Sequence, residues 1–160
     1  MAPAAESSQV APGAGWRAAL AKAAEDVFSM MVGVTVMPVE GPRPDFTPQV
    51  TGTVGIAGAF SAVFSLRCST QTANSIASQM LGVSLEEANA QQNDAVGEIC
   101  NIIAGDFKAK IGLSDQCMLS VPTVITGRDY QLRPAANSER VELQLTYGDE
   151  KIDVLLDVRR

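Results

Sequence analysis

The sequence predicts an α/β protein of the α+β kind: two layers, a sheet of about six mostly antiparallel strands, and two α-β-β-β halves. Three observations carry this. The C-terminal region holds two runs of alternating apolar and polar residues around Gly148-Asp149, the pattern of a β-hairpin. Two longer stretches place apolar residues at spacings of three and four, as amphipathic helices do. The text inside those two helices is also alike. Asp26-Val27-Phe28-Ser29-Met30-Met31-Val32-Gly33 matches Glu98-Ile99-Cys100-Asn101-Ile102-Ile103-Ala104-Gly105, each reading acid, apolar, apolar, polar, apolar, apolar, small, Gly. Such self-similarity points to an internal repeat, although two unrelated amphipathic helices would also match loosely.

The elements follow in order. Met1 to Gly15 is rich in Ala, Pro, Ser and Gly and reads as a disordered leader rather than an export signal. A single domain is expected over 16–160. Its first helix runs from about Trp16 to Val32, with Ala19, Leu20, Ala23, Val27, Met30 and Met31 on one face and Gly33 as its stop. Val34 to Met37 reads as a strand ended by Pro38, and two more strands follow, about Gln49 to Ala57 and Phe60 to Arg67, with a turn near Gly58. Ser69 or Thr70 caps a helix reaching Leu81 and stopped by Gly82, and Ser84 with Glu87 has capping-box spacing. A long helix is expected from about Gln92 to Ile111, burying Val96, Ile99, Cys100, Ile103 and Phe107. Cys117 to Ile125 reads as a strand interrupted by Pro122, which belongs at an edge or a bulge because it has no N–H to donate.

Composition excludes several functions. A length of 160 residues with 46% apolar residues suits one packed domain. The net charge is −6, and the twelve Lys and Arg form no basic run beyond Arg159-Arg160, so nucleic acid is not an expected partner. There is no histidine, which removes Ser-His and Cys-His catalysis, histidine metal sites and histidine phosphotransfer. Cys68, Cys100 and Cys117 form no CxxC pair; their odd number points to reduced thiols in a cytoplasm. No apolar run approaches the ~18–20 residues that cross a bilayer, so membrane insertion is not expected.

The residues with chemistry lie on the long helix. Asp94, Glu98, Asn101 and Gly105 fall at i, i+4, i+7 and i+11, which puts them on one stripe opposite the buried one. Gly97 and Ala104 flank Asn101. A helical Gly costs roughly 1 kcal/mol relative to Ala, so two of them beside a Glu-Asn pair suggest close approach by something. Two readings remain open from the residues alone. A partner approaches this surface, or Gly97 and Gly105 pack against the sheet while Glu98 and Asn101 are merely solvated.

The pattern Asp94-x-x-x-Glu98-x-x-Asn101, followed by Pro122, resembles the signature of the CheC, CheX and FliY phosphatases. The helix from Asp94 to Lys108, the strand Leu119 to Gly127 and the segment Ala24 to Gly33 are closest to CheX. The resemblance spans about residue 16 to the end. It implies two long helices on one face of the sheet and a protein phosphatase acting on the phospho-aspartate of a CheY-like response-regulator receiver domain. In that role Asn101 positions the attacking water and Glu98 docks on the receiver's lysine. Asp94, Gly97, Gly105 and Pro122 become partner-contact candidates, Asp94 otherwise serving only the helix dipole. No cofactor of its own is implied, Mg²⁺ being the receiver's, and a homodimer through a sheet edge is expected. Asp26 and Ser29 stand where a second working pair would be, with a shorter carboxylate and no amide, so that copy reads as a remnant. The main rival is a non-catalytic receiver-binding or flagellar-switch-type module. A small-molecule carrier would need a large apolar cavity, and a free-standing phosphoesterase would need a metal or phosphate motif; the sequence offers neither.

Overall fold

The computed structural model describes residues 12–41, 46–128, 130, 133–134 and 136–159. Residues 1–11 of the expected leader lie outside the described residues. Helix α1, Trp16–Val27, continues into a π-helical turn, Phe28–Val32, and stops at Gly33 in the left-handed region with φ 74°. The expected first helix therefore keeps its bounds but widens in its last turn. Helices α2, Thr70–Leu81, and α3, Leu85–Ala88, are capped as predicted: Ser69 accepts from the Thr72 N–H and Ser84 from the Glu87 N–H. Helix α4, Gln92–Lys110, is the long one, and its five expected core residues are all fully buried.

The strands are β1, Val50–Gly58; β2, Ala62–Cys68; β3, Cys117–Leu119; β4, Thr123–Thr126; β5, Ser138–Tyr147; and β6, Glu150–Arg159. They form one antiparallel sheet in the order β3-β1-β2-β6-β5, with β4 also paired to β1. Two strand expectations are corrected. Val34 to Met37 is not a strand; the segment makes only an isolated bridge between Pro38 and Leu145. Pro38 has no N–H, so a ladder cannot run through it; Thr146 donates to the Met37 carbonyl and the Met37 N–H finds Thr146 Oγ1 instead. The strand expected over Cys117 to Ile125 is two strands, broken at Pro122 for the same reason. Six strands result, by a different partition.

The repeat extends to the sheet. The β1-β2 and β5-β6 hairpins meet where β2 pairs β6. The proline-bearing segment of each half lies against the hairpin of the other: Pro38 on β5, β3 and β4 on β1. Helix α4 packs between α1 and α2 and crosses β1 and β2. Beneath it lie Val50, Val54, Ile56, Phe64 and Leu66, all buried. Trp16 closes one end, tilted on Phe60 at 4.8 Å and edge-on to Phe107 at 5.5 Å.

Gly52 of β1 fixes how close α4 comes. A β-carbon there would collide with Cys100 Sγ and stand 3.1 Å from Val96 Cγ1. Cys100 is fully enclosed, so the helix would have to lift. We expect Gly52→Ala to destabilise the fold by ~1–3 kcal/mol through overpacking. Cys100→Ala in the same chain should recover part of that loss, since it removes the colliding atom. Chemical denaturation of the two single variants and the double variant checks this; strictly additive losses would refute the contact.

Candidate functional site

Helix α4 begins without a side-chain cap, and Asp94 in its first turn faces the positive end of the helix dipole. Because Val96, Ile99, Cys100, Ile103 and Phe107 are drawn onto the sheet, the helix period turns Asp94 and Glu98 out to solvent. Asn101 and Gly105 are half-buried on the same stripe. Among the described residues neither Glu98 nor Asn101 has a side-chain hydrogen bond or ion pair. An open groove beside them is lined by Asn93, Asp94, Gly97, Glu98, Pro122 and Val124. The structure thus brings four of the six sequence-predicted residues into one groove, with Asn101 and Gly105 continuing along the helix.

The two glycines have a close neighbour in the chain itself. A β-carbon at position 97 would meet Pro122 Cβ at 3.4 Å and Val124 Cγ2 at 3.5 Å, and one at position 105 would meet Leu119 Cδ1 at 3.9 Å. Gly97, Asn101 and Gly105 form one i, i+4, i+8 ridge, so α4 runs along the β3–β4 edge in the opposite direction to it.

That edge carries a β-bulge the sequence reading did not specify. Ile56 pairs with Leu119 and Thr53 with Thr123. Two residues of β1, 54 and 55, therefore face three, 120 to 122. Ser120 holds the bulge: its N–H donates to the Gly55 carbonyl at 2.9 Å, and its Oγ accepts from the Gly55 N–H at 2.8 Å. Pro122 was the available signal, but an edge and a bulge were equally consistent with it.

The first-half counterpart differs in its electrostatics. Asp26 binds Lys22 at 3.0 Å through one oxygen and Lys110 of α4 at 3.0 Å through the other, and Lys110 also holds Asp106 at 2.9 Å. The Lys22 ammonium, then Lys110, hold the Asp26 carboxyl below its ordinary value. Ser29 is exposed on the π-helical turn. Cys68, Cys100 and Cys117 are free and buried. Desolvation pushes the Cys68 thiol up to about 12 and raises Cys100 as well, so neither is a nucleophile at neutral pH. Among the described residues no group of three or more Cys, Asp or Glu is placed to hold a metal ion, and no helix is long and apolar enough to cross a membrane.

Fold and site together define a duplicated α/β domain that carries an acid–amide pair on an open helix surface. The family model described as chemotaxis phosphatase CheX matches residues 50–146, more than half of the chain, and the chain belongs to that family. Solved structures agree in fold. A CheX from Desulfovibrio desulfuricans aligns with a TM-score of 0.78 at 22% identity, covering 90% of this chain and 99% of that one. A CheX from Vibrio vulnificus gives 0.79 at 19% identity, covering 94% and 100%. CheX in the CheX–CheY–BeF3–Mg²⁺ complex from Borrelia burgdorferi gives 0.75 at 22% identity, covering 91% and 98%. No curated protein sequence matches the chain significantly.

The Asp26 clasp generates a pH prediction. Its folded-state pKa is lowered below the ordinary 3.8, so its contribution is fully present above that value and lost as pH falls through the folded value. Thermal melts of the wild type and Asp26→Asn should differ at pH 7 and converge as pH falls through the lowered folded value, below which both carboxyl and amide are neutral. Salt should shrink the pH 7 difference, because the pairs are solvent-facing. A difference that stays constant across the whole acid titration would show that Asp26 acts through packing instead.

Proposed function

We propose that this chain accelerates hydrolysis of the aspartyl phosphate on a CheY-like receiver domain, with Asn101 and Glu98 as the working pair. The observation that carries the reading is the unpartnered Glu98–Asn101 pair on α4, Glu98 exposed and Asn101 half-buried, in a chain of the chemotaxis phosphatase family. The CheX of Borrelia burgdorferi, bound with CheY, BeF3 and Mg²⁺, supports a receiver as the partner. Fluoroberyllate has the tetrahedral geometry of a phosphoryl group.

The reaction asks little of a helper protein. Water oxygen attacks phosphorus in line with the acyl P–O bond, that bond breaks, and its electrons leave on the aspartate carboxylate. Inorganic phosphate departs, taking the water's remaining O–H while one proton passes to solvent. The transition state is loose, so positioning matters more than a strong base. The Asn101 amide oxygen accepts a hydrogen bond from the water, and its NH₂ donates toward a phosphoryl oxygen. Glu98, one helical turn away, pairs with the receiver's lysine and sets the register of docking. Mg²⁺ held by the receiver would neutralise phosphoryl charge. The same reading includes a cytoplasmic setting, for which the three buried free thiols speak, and a homodimer through a sheet edge.

Asn101→Ala should keep the fold and receiver affinity but lose on the order of 10²-fold in turnover, about 3 kcal/mol. Phosphoryl decay of a receiver from the same genome, with and without each variant, measures this. Near-normal turnover by folded Asn101→Ala would refute the mechanism, and absent turnover in the wild type would favour a non-catalytic interaction module. Glu98→Ala or Glu98→Lys should weaken complex formation, and binding of the wild type should itself weaken with salt. Calorimetry showing unchanged affinity would eliminate the docking role.

A further inference from the structure

We infer that Arg128 binds a carboxylate of the receiver at the far end of the docking surface, so that the seam between α4 and β4 accepts its partner in one direction only; this rests on the phosphatase reading above. The groove beside Glu98 does not end the concave surface. Asn93 lines it and also lines a second open groove, with Asn89 and Gln92 on the helical side and Thr126, Gly127 and Arg128 on the strand side. Both grooves therefore lie along one seam, where α4 runs antiparallel to the edge strand. The charges on that seam are separated by sign. The first groove is lined by the carboxylates of Asp94 and Glu98 and by no cation. Among the described residues Arg128 is the only charged one that lines the second.

Arg128 is exposed, and among the described residues its side chain makes no hydrogen bond or ion pair. The backbone that leads to it is tied to the sheet: Thr126 pairs with Val50, and the Gly127 N–H donates to the Gln49 carbonyl at 3.0 Å. A specific interface covers about 800 Å² on each partner, a patch roughly 30 Å across. Centred on the Glu98–Asn101 pair, such a patch extends about 15 Å along the helix in each direction. Asn93 precedes Asn101 by eight residues, about 12 Å along the axis. A receiver docked on the pair therefore reaches the groove that Asn93 and Arg128 share.

Charge decides what the receiver carries there. A guanidinium matches a carboxylate with paired N–H donors. With Glu98 on the receiver's lysine and Arg128 on a carboxylate, both ends of the seam are satisfied. Turned end for end, the receiver would set its carboxylate against Glu98 and its lysine against Arg128, and like charges in contact are strongly unfavourable. Arg128 thus adds direction to a docking that Glu98 alone leaves free to pivot.

The test is phosphoryl decay over a range of phosphorylated-receiver concentrations, which separates KM from kcat. Arg128→Glu should raise KM about fivefold or more with kcat within about twofold, because the reversal sets like charges together. Arg128→Gln should raise KM about two- to threefold, as loss of one partly exposed ion pair would, and should flatten the salt dependence of KM. Arg128→Lys keeps the charge and should stay close to the wild type. Lys151→Glu makes the same change of net charge at the start of β6, away from the seam, and should leave both constants unchanged. Circular dichroism melts should match the wild type throughout, since the Arg128 side chain is not bonded within the fold. A KM for Arg128→Glu within about twofold of wild type, or no higher than that of Lys151→Glu, would overturn the proposal. If the wild type itself shows no turnover, the phosphatase reading fails separately. Affinity for the beryllofluoride-loaded receiver then decides Arg128: weaker binding of Arg128→Glu upholds its role, and equal or tighter binding overturns it.

Discussion

At the middle of α4, Cys100 sits over Gly52 of β1 with no space for a β-carbon between them. The helix rotation follows from that contact. With Cys100 pressed on the sheet, Val96, Ile99, Ile103 and Phe107 are carried into the core, and the opposite stripe is forced outward. Glu98 and Asn101 owe their direction to residues that touch no partner. Burying five apolar side chains at ~1.5–3 kcal/mol each outweighs any preference of a single polar residue for another orientation. The pair is therefore set on a rigid element, as the proposed positioning chemistry requires.

The two halves share an architecture and differ in what their acidic residues do. In the first half both carboxylate oxygens of Asp26 are taken by lysines, one of them from α4. In the second half Glu98 has no such neighbour among the described residues. Two lysines make the difference: Lys22, one turn before Asp26 on α1, and Lys110, which lies in the last turn of α4, favoured there by the helix dipole, and reaches across to α1. The carboxylate of the first half thus helps fasten α1 to the helix that carries the pair. These pairs are exposed, and each is worth little to stability alone.

Much of this was legible in the sequence. The helix bounds, the caps at Ser69 and Ser84, the stop at Gly82 and the C-terminal hairpin followed from local signals that tertiary structure did not override. The stripe Asp94–Glu98–Asn101–Gly105 was legible because a 19-residue helix has one period and one buried face. What was not legible depends on neighbours distant in the chain. Val34 to Met37 has strand composition, but whether it pairs is decided by Pro38 against Leu145, 107 positions later in the sequence. The π-helical turn at Phe28–Val32 inserts one residue into a pattern that reads as ordinary helix. The ion pair between Asp26 and Lys110 depends on how two helices cross.

The bulge shows how far such a distant fact reaches. Side chains along a strand alternate between faces, so with Leu119 on the helix side, a regular strand would place Val121 and Thr123 there as well. One extra residue shifts the phase. Pro122 and Val124 come to the helix side instead, and both pack on Gly97. The edge strand thus packs on α4 at Gly97, where even a β-carbon would find only ordinary contact with Pro122 and Val124. The same approach is repeated at Gly105 with Leu119. Between these two bare positions Asn101 is the one residue of the ridge with a side chain. It rises from a helix surface that is walled on one side by the strand and open on the other. The glycines pack against the edge strand, and Asn101 lies between them on the helix, half-buried.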